Sequence, residues 1–388
     1  MNHKINFRED KNLIIHLTVT GRCNARCRGC INSAITMASN KPRNMVTTFA
    51  ESVPERDTAI IEKLIRRHPG KKATVCFYGG EPFLATEKMT QVWEKLSNSK
   101  PSKRIRYMIY TNGEFFIDAI KSHPDFIKSI WLYSVSIDGD EKQHNRSRPG
   151  TNLRMIVKNL QALRNVYKGK ILMWSTLREE QSLLNCYEEF TELYRLNLVD
   201  SLYWHWPEIV EPFKDLARYK ERYCKELAKI IDFYIERLRL GELLPIIHLN
   251  ELILYLLSGK KRRHSACAIE LLRNYDLVGG KIYYCVDLPS HIGCIEENPI
   301  PSSLVVYKKT LGCFKCSIHT YCGGRCPVQG LFGSLERTRQ YCQLMKLHVG
   351  IVNARIDEIT EYLIKNGLTL QEVYDRSAFL TRYTDVVP

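Results

Sequence analysis

The chain has 388 residues and carries 57 Lys and Arg against 42 Asp and Glu, which gives a formal net charge of +15. This length accommodates one large domain with a substantial core and a smaller second domain. Residues 1–6 lack the apolar core of a signal peptide, and no apolar run approaches the length of a membrane span, so we expect a cytoplasmic protein. The charge favours acidic peptides, phosphates or nucleic acid as partners, unless it serves only solubility. In a reducing compartment, the clustering of the 14 cysteines indicates metal binding rather than disulfides.

The first 240 residues alternate β-branched runs with helical patterns. The predicted strands are Leu13–Thr18, Ala73–Tyr78, Arg104–Tyr110, Ile130–Ile137, Lys170–Thr176 and Ser201–Trp206. Apolar residues at helical spacing predict helices between these strands at Glu55–Arg67, Glu87–Leu96, Leu153–Tyr167 and Leu183–Tyr194. Two further helices are predicted after the sixth strand, at Glu211–Leu240 and Ile246–Leu257. This alternation predicts parallel strands joined by right-handed crossovers. Six such units predict an open, partial barrel with its functional groups at the carboxyl ends of the strands.

The loop after the first strand carries Cys23, Cys27 and Cys30 in the spacing Cys-x3-Cys-x2-Cys. Soft thiolates suit iron–sulfur clusters, and three of them on one loop can hold three corners of a four-iron, four-sulfur cube. The fourth iron then stays open to a small molecule that chelates it through an amine and a carboxylate. A zinc knuckle is the alternative, although it normally uses four ligands in two close pairs. The spacing resembles the signature of the radical S-adenosylmethionine (radical SAM) family.

The second strand runs into Gly79, Gly80 and Glu81, followed by Pro82. Two glycines let the backbone approach a ligand closely, and a neighbouring carboxylate can take up an ammonium group. This run is similar to the radical SAM motif that holds the methionine amino group of the cofactor. The resemblance therefore implies a methionine site at Gly79, Gly80 and Glu81, and an ordinary strand-to-helix turn is the alternative.

The fourth strand places Ser134, Ser136 and Asp138 on one face, because side chains alternate along a strand. This segment resembles strand four of the radical SAM family, where a serine contacts the ribose and a downstream arginine meets the cofactor carboxylate. The resemblance assigns these two roles to Ser136 and Arg148.

Two further features leave alternatives open. Asn145 follows His144 where the family usually has aspartate. The resemblance therefore assigns no role to either residue, and both could simply shape the turn. The sixth strand carries Trp204, His205 and Trp206, where the aromatic rings could stack adenine or shape a substrate pocket, and His205 could relay a proton. Aromatic residues in a strand more often belong to the core.

A second cysteine system follows a basic hinge at Lys260–His264. Its seven ordered cysteines need more than one metal site, since a tetrahedral zinc site takes four ligands. Their order resembles the SPASM domain, the cluster-binding extension of radical SAM enzymes that modify peptides and proteins. The resemblance assigns one auxiliary cluster to Cys267, Cys285 and Cys326, and a second to Cys313, Cys316, Cys322 and Cys342. Two zinc sites are the alternative.

Cys294 stands outside the seven-cysteine pattern. The first auxiliary cluster has three assigned ligands, and Cys294 is the predicted fourth, because a loop with Pro289 and Gly293 could fold it back toward Cys285. A buried, unligated thiol is the alternative.

These motifs predict an α/β fold: a partial (β/α)6 TIM-like barrel, then a small cysteine-rich SPASM domain and C-terminal helices. The predicted units are residues 1–240 for the radical SAM barrel, 241–266 for a linking helix and hinge, 267–345 for the SPASM domain, and 346–388 for the C-terminal helices.

The resemblance implies an enzyme with three 4Fe-4S clusters, one radical SAM and two auxiliary. It would cleave S-adenosylmethionine reductively to a 5′-deoxyadenosyl radical and oxidise or crosslink a peptide or protein, which the charge suggests is acidic. The expected electron source is a low-potential donor such as ferredoxin or flavodoxin. Because the first strand begins near Leu13, a leader peptide would need a separate binding protein or the C-terminal helices. Neither a membrane nor nucleic acid is an expected partner.

Asp287 is the candidate catalytic base. It lies two residues past Cys285, whereas sulfatase-maturing members place an aspartate directly after the equivalent cysteine. The alternatives are sulfatase or quinoprotein maturation and, from a different class, a non-catalytic iron–sulfur electron-transfer protein. The Gly-Gly-Glu motif argues against a pure carrier, which has no need of an amino-group site.

Overall fold

The computed structural model describes residues 5, 12–30, 50–259, 261, 264–265, 267–288, 293–296 and 304–376. Within this part of the chain, one mixed sheet of eight strands forms the centre of the molecule. In chain order its strands are β1 (Leu13–Thr20), β2 (Ala73–Gly79), β3 (Ile105–Thr111), β4 (Leu132–Ser136), β5 (Lys170–Thr176), β6 (Ser201–His205), β7 (Asn274–Val278) and β8 (Lys281–Tyr283).

The strands lie in the order β6-β5-β4-β3-β2-β1-β7-β8. Neighbours from β6 to β7 are all parallel, and β8 folds back antiparallel onto β7. Parallel neighbours need long crossovers, and helices supply them here. The carboxyl ends of β1 to β6 therefore meet at one edge, which is where the sequence motifs lie.

Helices cover the outer face of the sheet and form the carboxyl-terminal part. Those in the described residues are α1 (Pro54–Arg67), α2 (Thr86–Ser97), α3 (Phe116–Ser122), α4 (Pro124–Ser129), α5 (Glu141–Ser147), α6 (Leu153–Val166), α7 (Leu183–Arg195), α8 (Leu216–Arg239), α9 (Ile247–Ser258), α10 (Tyr307–Thr310), α11 (His319–Cys322), α12 (Pro327–Phe332), α13 (Leu335–Asn353), α14 (Ile356–Lys365) and α15 (Leu370–Arg376). None of these helices combines the length and the apolar character needed to cross a bilayer.

The two faces of the sheet differ because side chains alternate along each strand. On β1, Leu13, Ile15 and Leu17 point outward into the main core and are almost fully buried. On the inner face, a smaller apolar cluster includes Ile14 and Leu132, which lie near the starts of their strands. This cluster closes the barrel interior, called here the lumen, on the side away from the motifs.

The predicted fold class is confirmed. The six predicted strands and the helices between them are present, with ends that differ by a few residues, and β5 has the predicted bounds. Strands β7 and β8 were not predicted. They lie inside the cysteine-rich region, yet β7 pairs with β1, so this region and the barrel share one sheet. The domain boundaries themselves stay a prediction.

Trp204 and Trp206 belong to the core. Both are fully buried on the outer face of β6 and its extension. Trp204 packs edge-on against His248 of α9, and the indole nitrogen of Trp206 donates to Tyr219 of α8 at 2.8 Å. The core alternative for these two rings therefore agrees with their placement, while His205 between them faces the lumen.

Candidate active site at the carboxyl ends of the strands

The thiols of the first motif lie on residues 21–30, called here the cysteine loop, which begins directly after β1. The end of β2 holds the start of this loop. The Gly80 amide donates to the Thr20 carbonyl at 2.9 Å, and the Glu81 amide donates to the Arg22 carbonyl at 2.8 Å. These bonds continue the β1–β2 pairing, so the two motifs form one structural unit.

Neither glycine of the second motif has room for a side chain. A Cβ atom at Gly79 would lie 2.3 Å from the Thr20 carbonyl oxygen, and one at Gly80 would lie 2.1 Å from the Arg22 carbonyl oxygen. Gly79 also has a φ of +131°, which L side chains rarely adopt. The sequence reasoning attributed these glycines to a ligand, but the close approach of the cysteine loop already requires them.

The Glu81 carboxylate is buried and accepts three hydrogen bonds. Its Oε1 accepts from the Phe83 amide at 3.1 Å and from Thr111 Oγ1 at 2.8 Å, and its Oε2 accepts from the Asn112 amide at 2.7 Å. Burial raises the pKa of Glu81 to about 7, although the three hydrogen bonds oppose this shift. The carboxylate ties the end of β2 to the end of β3, an arrangement that favours a positioning role over direct contact with an ammonium group.

A buried carboxylate with two arginines lies beside the cysteine loop. Asp138 accepts from Arg148 Nε and from Arg178 Nη1, each at 2.8 Å. Burial opposes its ionisation, but the two guanidinium groups outweigh burial and hold the pKa of Asp138 well below its usual range. Arg148 Nη1 also donates to Cys27 Sγ at 3.9 Å, and Arg178 Nε donates to the Arg28 carbonyl. Sequence reasoning missed Arg178, because only the fold brings β5 to this loop.

His144 and Asn145 make contacts that shape the turn. His144 Nδ1 accepts from the Asp138 amide at 3.2 Å, and its Nε2 lies 3.1 Å from Thr151 Oγ1. Asn145 Oδ1 accepts from the Leu153 amide at 3.0 Å, at the start of α6. These contacts correspond to the turn-shaping alternative for both residues.

Ser136 and His205 lie on the inner face at the carboxyl edge. Ser136 ends β4 and is partly exposed. His205 Nε2 lies 2.9 Å from Thr176 Oγ1, and its ring is edge-on to Trp174 at 5.2 Å between centroids. Burial and the neighbouring arginine pair lower the pKa of His205 to about 3. The imidazole is therefore neutral and can hydrogen-bond a ligand without adding charge.

The lumen carries further polar groups that sequence reasoning missed. His16 on β1 lies opposite Asp276 on β7, with 3.1 Å between Nδ1 and Oδ1. Burial lowers the pKa of His16, but Cys76 and Asp276 outweigh burial and raise it to about 10. The rings of Tyr78 and Tyr110 lie about 6 Å from the imidazole, at 6.1 and 6.0 Å between centroids. The side chains of His16 and Asp276 keep 17% and 16% exposure, so solvent reaches this part of the lumen.

The segment around Asp287 is held to the same wall. The Val286 amide donates to Asp276 Oδ2 at 2.7 Å, which places Asp287 next to the lumen. Burial and the Asp276 carboxylate raise the pKa of Asp287 to about 7, while His16 acts in the opposite direction. Sequence reasoning named Asp287 but gave no reason for its orientation, which β7 supplies.

The thiols of the second cysteine system fall into two groups. Cys285 has two other thiols as electrostatic neighbours, and together they form the first group: Cys267, Cys285 and Cys326. The second group, identified in the same way around Cys313, contains Cys313, Cys316, Cys322 and Cys342. Burial and the neighbouring thiols raise the pKa of Cys313 to about 11, so a metal must displace protons to bind there. The groups have the membership that the sequence predicts, and their ligation of clusters stays a prediction.

Tyr78 lies near thiols of both cysteine systems. Its electrostatic neighbours include Asp287, Cys30, Asp276 and Cys285. The lumen is therefore bordered by thiols of both systems.

Cys294 is fully buried and pairs with Tyr283 in an antiparallel bridge. Its apolar cluster also contains Ala50, Val278, Tyr283 and Val286. The thiols of the first auxiliary group pack against a different cluster. This placement favours an unligated thiol, and the predicted ligation remains to be tested.

The donor chemistry of the cysteine loop fits an iron–sulfur cluster. The loop supplies three thiols, and two N–H groups donate to its sulfur atoms: the Ala25 amide to Cys23 at 3.4 Å, and Arg148 to Cys27. Such donors stabilise negative charge on sulfur. Within the described residues, no three His, Cys, Asp or Glu side chains converge on a position for a single metal ion.

Comparison with known proteins agrees with this geometry. Residues 17–179, which contain the cysteine loop, the Gly-Gly-Glu motif and both arginines, match the family model of the Radical SAM superfamily. Hexahistidine-tagged anSMEcpe with bound AdoMet superposes with a TM-score of 0.67 at 17% identity, over 94% of this chain and 98% of that chain. Native anSMEcpe with bound AdoMet and Cp18Cys peptide gives 0.64 at 17% identity, over 90% and 99%.

A further similar structure is Streptococcus suis SuiB bound to S-adenosylmethionine, with a TM-score of 0.52 at 14% identity, over 82% of this chain and 71% of that chain. No curated protein sequence matches the chain significantly. At these identities the structural likeness establishes the fold.

Proposed function

We propose that this chain is a radical SAM enzyme that oxidatively modifies or crosslinks a peptide or protein. One observation carries the proposal: three thiols on a single loop are held by the backbone of Gly80 and Glu81, at the carboxyl edge of a partial parallel barrel. A loop that offers three thiols and no fourth suits a cluster with one open iron. The Radical SAM superfamily match over residues 17–179 supports the same conclusion.

The residues beside the loop would bind and orient the cofactor. Cys23, Cys27 and Cys30 would hold a 4Fe-4S cluster, which supplies one-electron cleavage of S-adenosylmethionine and hence a carbon radical. Arg148 and Arg178 share the single carboxylate of Asp138, so this buried group keeps one excess positive charge. That charge suits the carboxylate of the cofactor. Ser136 and His205 face the same space and are proposed to contact the cofactor's ribose and base.

The substrate is proposed to enter the lumen. Its wall holds the His16–Asp276 pair, the Tyr78 ring and Asp287, and Asp287 is the proposed proton acceptor because the Asp276–Val286 hydrogen bond fixes it there. The two auxiliary thiol groups would hold two further clusters. A peptide substrate is supported by the peptide-bound anSMEcpe structures, and the net charge of +15 favours an acidic one.

The test is reductive cleavage by purified, reconstituted protein. With dithionite as the electron source, 5′-deoxyadenosine and methionine should form, and Cys27→Ala should abolish both. Cys224→Ala is the matched control, since this thiol lies on α8 outside the thiol groups. If the fully iron-loaded protein forms no 5′-deoxyadenosine, the proposed enzymatic activity is excluded. The alternative of a non-catalytic iron–sulfur electron-transfer protein then remains.

A further inference from the structure

A pocket of about 310 Å³ lies at the amino ends of β5 and β6, opposite the candidate active site. It is called here the basal pocket, and its wall includes Lys170, Tyr194, Asn197, Asp200, Ser201 and Arg376. Lys170 and Ser201 begin the two strands, and Arg376 ends α15. Because a strand rises about 3.3 Å per residue, the length of β5 separates Lys170 from Thr176 at the other edge by about 20 Å. A ligand in this pocket would therefore not touch the cysteine loop.

Positive charge predominates in the basal pocket. Asp200 supplies the one carboxylate among the described residues of its wall. This carboxylate lies 2.5 Å from Arg164 Nη2 and 3.7 Å from Lys170 Nζ, and it also accepts from the Ile171 amide at 2.8 Å. Two cations therefore share Asp200, and Arg376 adds a third positive charge. Three cations against one carboxylate leave an excess of two positive charges.

Arg376 is fixed at the pocket by neutral groups. Its Nε donates to the Leu243 carbonyl at 3.0 Å, and its Nη2 donates to the Tyr194 hydroxyl. Within the part of the chain that the structure describes, Arg376 forms no ion pair. Glu242 also lies near Tyr194, but it is paired with Arg237. The guanidinium of Arg376 is therefore held in place while its charge stays uncompensated.

The hydroxyl of Ser201 is buried and has no hydrogen-bond partner in the described structure. The residue is 2% exposed. Ser201 and Lys170 lie on the same face of the sheet, since each stands two residues before a member of the inner-face cluster, Tyr203 and Leu172. A buried hydroxyl without a partner is costly, and folded proteins keep few of them. An oxygen atom of a ligand in the pocket would give Ser201 its missing partner.

The donors of the basal pocket match a phosphate group. Hydrogen bonds from charged donors to phosphate oxygens are stronger than neutral ones, and the planar fork of an arginine fits two such oxygens at once. A phosphate monoester carries about two negative charges at neutral pH, which balances the excess in the pocket. The volume lies at the lower end of the range for small-molecule sites, about 300–1,000 Å³. The partly exposed ring of Tyr194 offers a surface for a small organic group.

We propose that the basal pocket binds a phosphate group, either as inorganic phosphate or as the monoester of a small molecule. The phosphate oxygens would accept hydrogen bonds from Lys170, Ser201 and Arg376. The ligand would thereby join the end of α15 to the amino ends of β5 and β6. This inference goes beyond the proposed function and does not depend on it, because no cluster or cofactor takes part in the binding.

The experiment measures binding to the iron-loaded enzyme by isothermal titration at constant ionic strength, with inorganic phosphate and phenyl phosphate as the probes. Two variants change the pocket: Lys170→Gln with Arg376→Gln, and Ser201→Ala. The matched control, Lys121→Gln with Arg218→Gln, removes the same charge from exposed positions on α3 and α8. Hydrogen exchange of the backbone amides locates the bound probe, and thermal unfolding reports the stability of each variant.

The double charge variant should weaken binding of both probes about 100-fold or more, since each charged donor contributes about tenfold or more. Ser201→Ala should weaken binding about tenfold and should leave the probe-free protein as stable as before, because the hydroxyl that it removes has no partner. The control should bind like the unaltered enzyme. Bound probe should slow amide exchange at residues 197–201 and 370–376. Tighter binding of phenyl phosphate would identify a monoester as the source of the phosphate group, and tighter binding of inorganic phosphate would identify the free ion.

Absence of binding of both probes at millimolar concentration would overturn the inference. Binding that the pocket variants leave unchanged would also overturn it, because the phosphate would then lie elsewhere, such as at Arg148 and Arg178. If the double variant is less stable, Lys170→Gln alone decides, since this side chain is 50% exposed and its contact with Asp200 is 3.7 Å long. Failure to cleave S-adenosylmethionine would refute the proposed function and would leave the binding measurement unaffected.

Discussion

Replacing Gly80 with alanine should detach the cysteine loop from the end of β2. The added Cβ would lie 2.1 Å from the carbonyl oxygen and 2.6 Å from the carbonyl carbon of Arg22. These are backbone atoms, so no side-chain rotation relieves the contact. Reaching an ordinary contact distance requires a shift of at least about 1 Å. That shift lengthens two hydrogen bonds, from the Gly80 amide to the Thr20 carbonyl and from the Glu81 amide to the Arg22 carbonyl. Together these two bonds contribute about 1–3 kcal/mol to stability.

The substitution should also slow S-adenosylmethionine cleavage. A misplacement of about 1 Å near a reacting centre can cost about 100-fold in rate. We therefore expect Gly80→Ala to form 5′-deoxyadenosine at about one-hundredth of the unaltered rate or less, while the iron of the auxiliary groups is retained. The assay is chromatography of 5′-deoxyadenosine with dithionite as the reductant, together with iron content and thermal unfolding.

Gly350→Ala is the matched control for this substitution. Gly350 lies within α13, and a Cβ atom there would have no neighbour within 4 Å. The control should keep full activity and gain up to about 1 kcal/mol of stability, because alanine is the better helix former. If Gly80→Ala also cleaves S-adenosylmethionine at the unaltered rate with full iron, the reasoning from the close approach of the loop is refuted.

Alanine at Cys23, Cys27 and Cys30 together should abolish cleavage and leave about two-thirds of the iron, since separate thiols serve the auxiliary groups; loss of all iron in a metal assay would contradict this. Asp138→Asn should lower the free energy of unfolding in urea by about 3–5 kcal/mol, because two buried guanidinium groups lose their counter-charge. Since the pKa of Asp138 is lowered in the fold, this contribution is complete above the unfolded carboxyl pKa of about 3.9 and fades as the pH falls below it; a difference between the two proteins that persists unchanged at lower pH would be inconsistent with that cause. Cys294→Ala should leave iron content and auxiliary-cluster spectra unchanged and cost about 1 kcal/mol through lost packing, whereas loss of iron would establish the ligation predicted from sequence.

Short-range sequence patterns were sufficient to predict the barrel strands and the cysteine loop. The β-branched runs of the strands and the helical spacing between them are properties of neighbouring residues, so they could be recognised without knowledge of the fold. The spacing of Cys23, Cys27 and Cys30 is equally local, because one loop presents all three thiols. The alternation of strands and helices then predicted parallel strands joined by right-handed crossovers in an open, partial barrel.

Alternation along a strand groups residues by face, but it does not tell which face meets helices and which meets the lumen. Sequence reasoning therefore did not single out His16, and it left open whether Trp204 and Trp206 serve a ligand or the core. Packing against α8 and α9 decided that the two indoles belong to the core.

The sequence by itself determined the barrel strands, the cysteine loop and the Gly-Gly-Glu turn, because each depends on residues close together in the chain. Only the tertiary structure decided that β7 joins the sheet beside β1 and so brings Asp276 to His16 and Asp287 to the lumen. It likewise decided that Arg178 shares Asp138 with Arg148 and that Glu81 binds the end of β3. These contacts join segments that are far apart in the chain. No local pattern predicts them, because their energy arises only when the folded sheet brings the partners together.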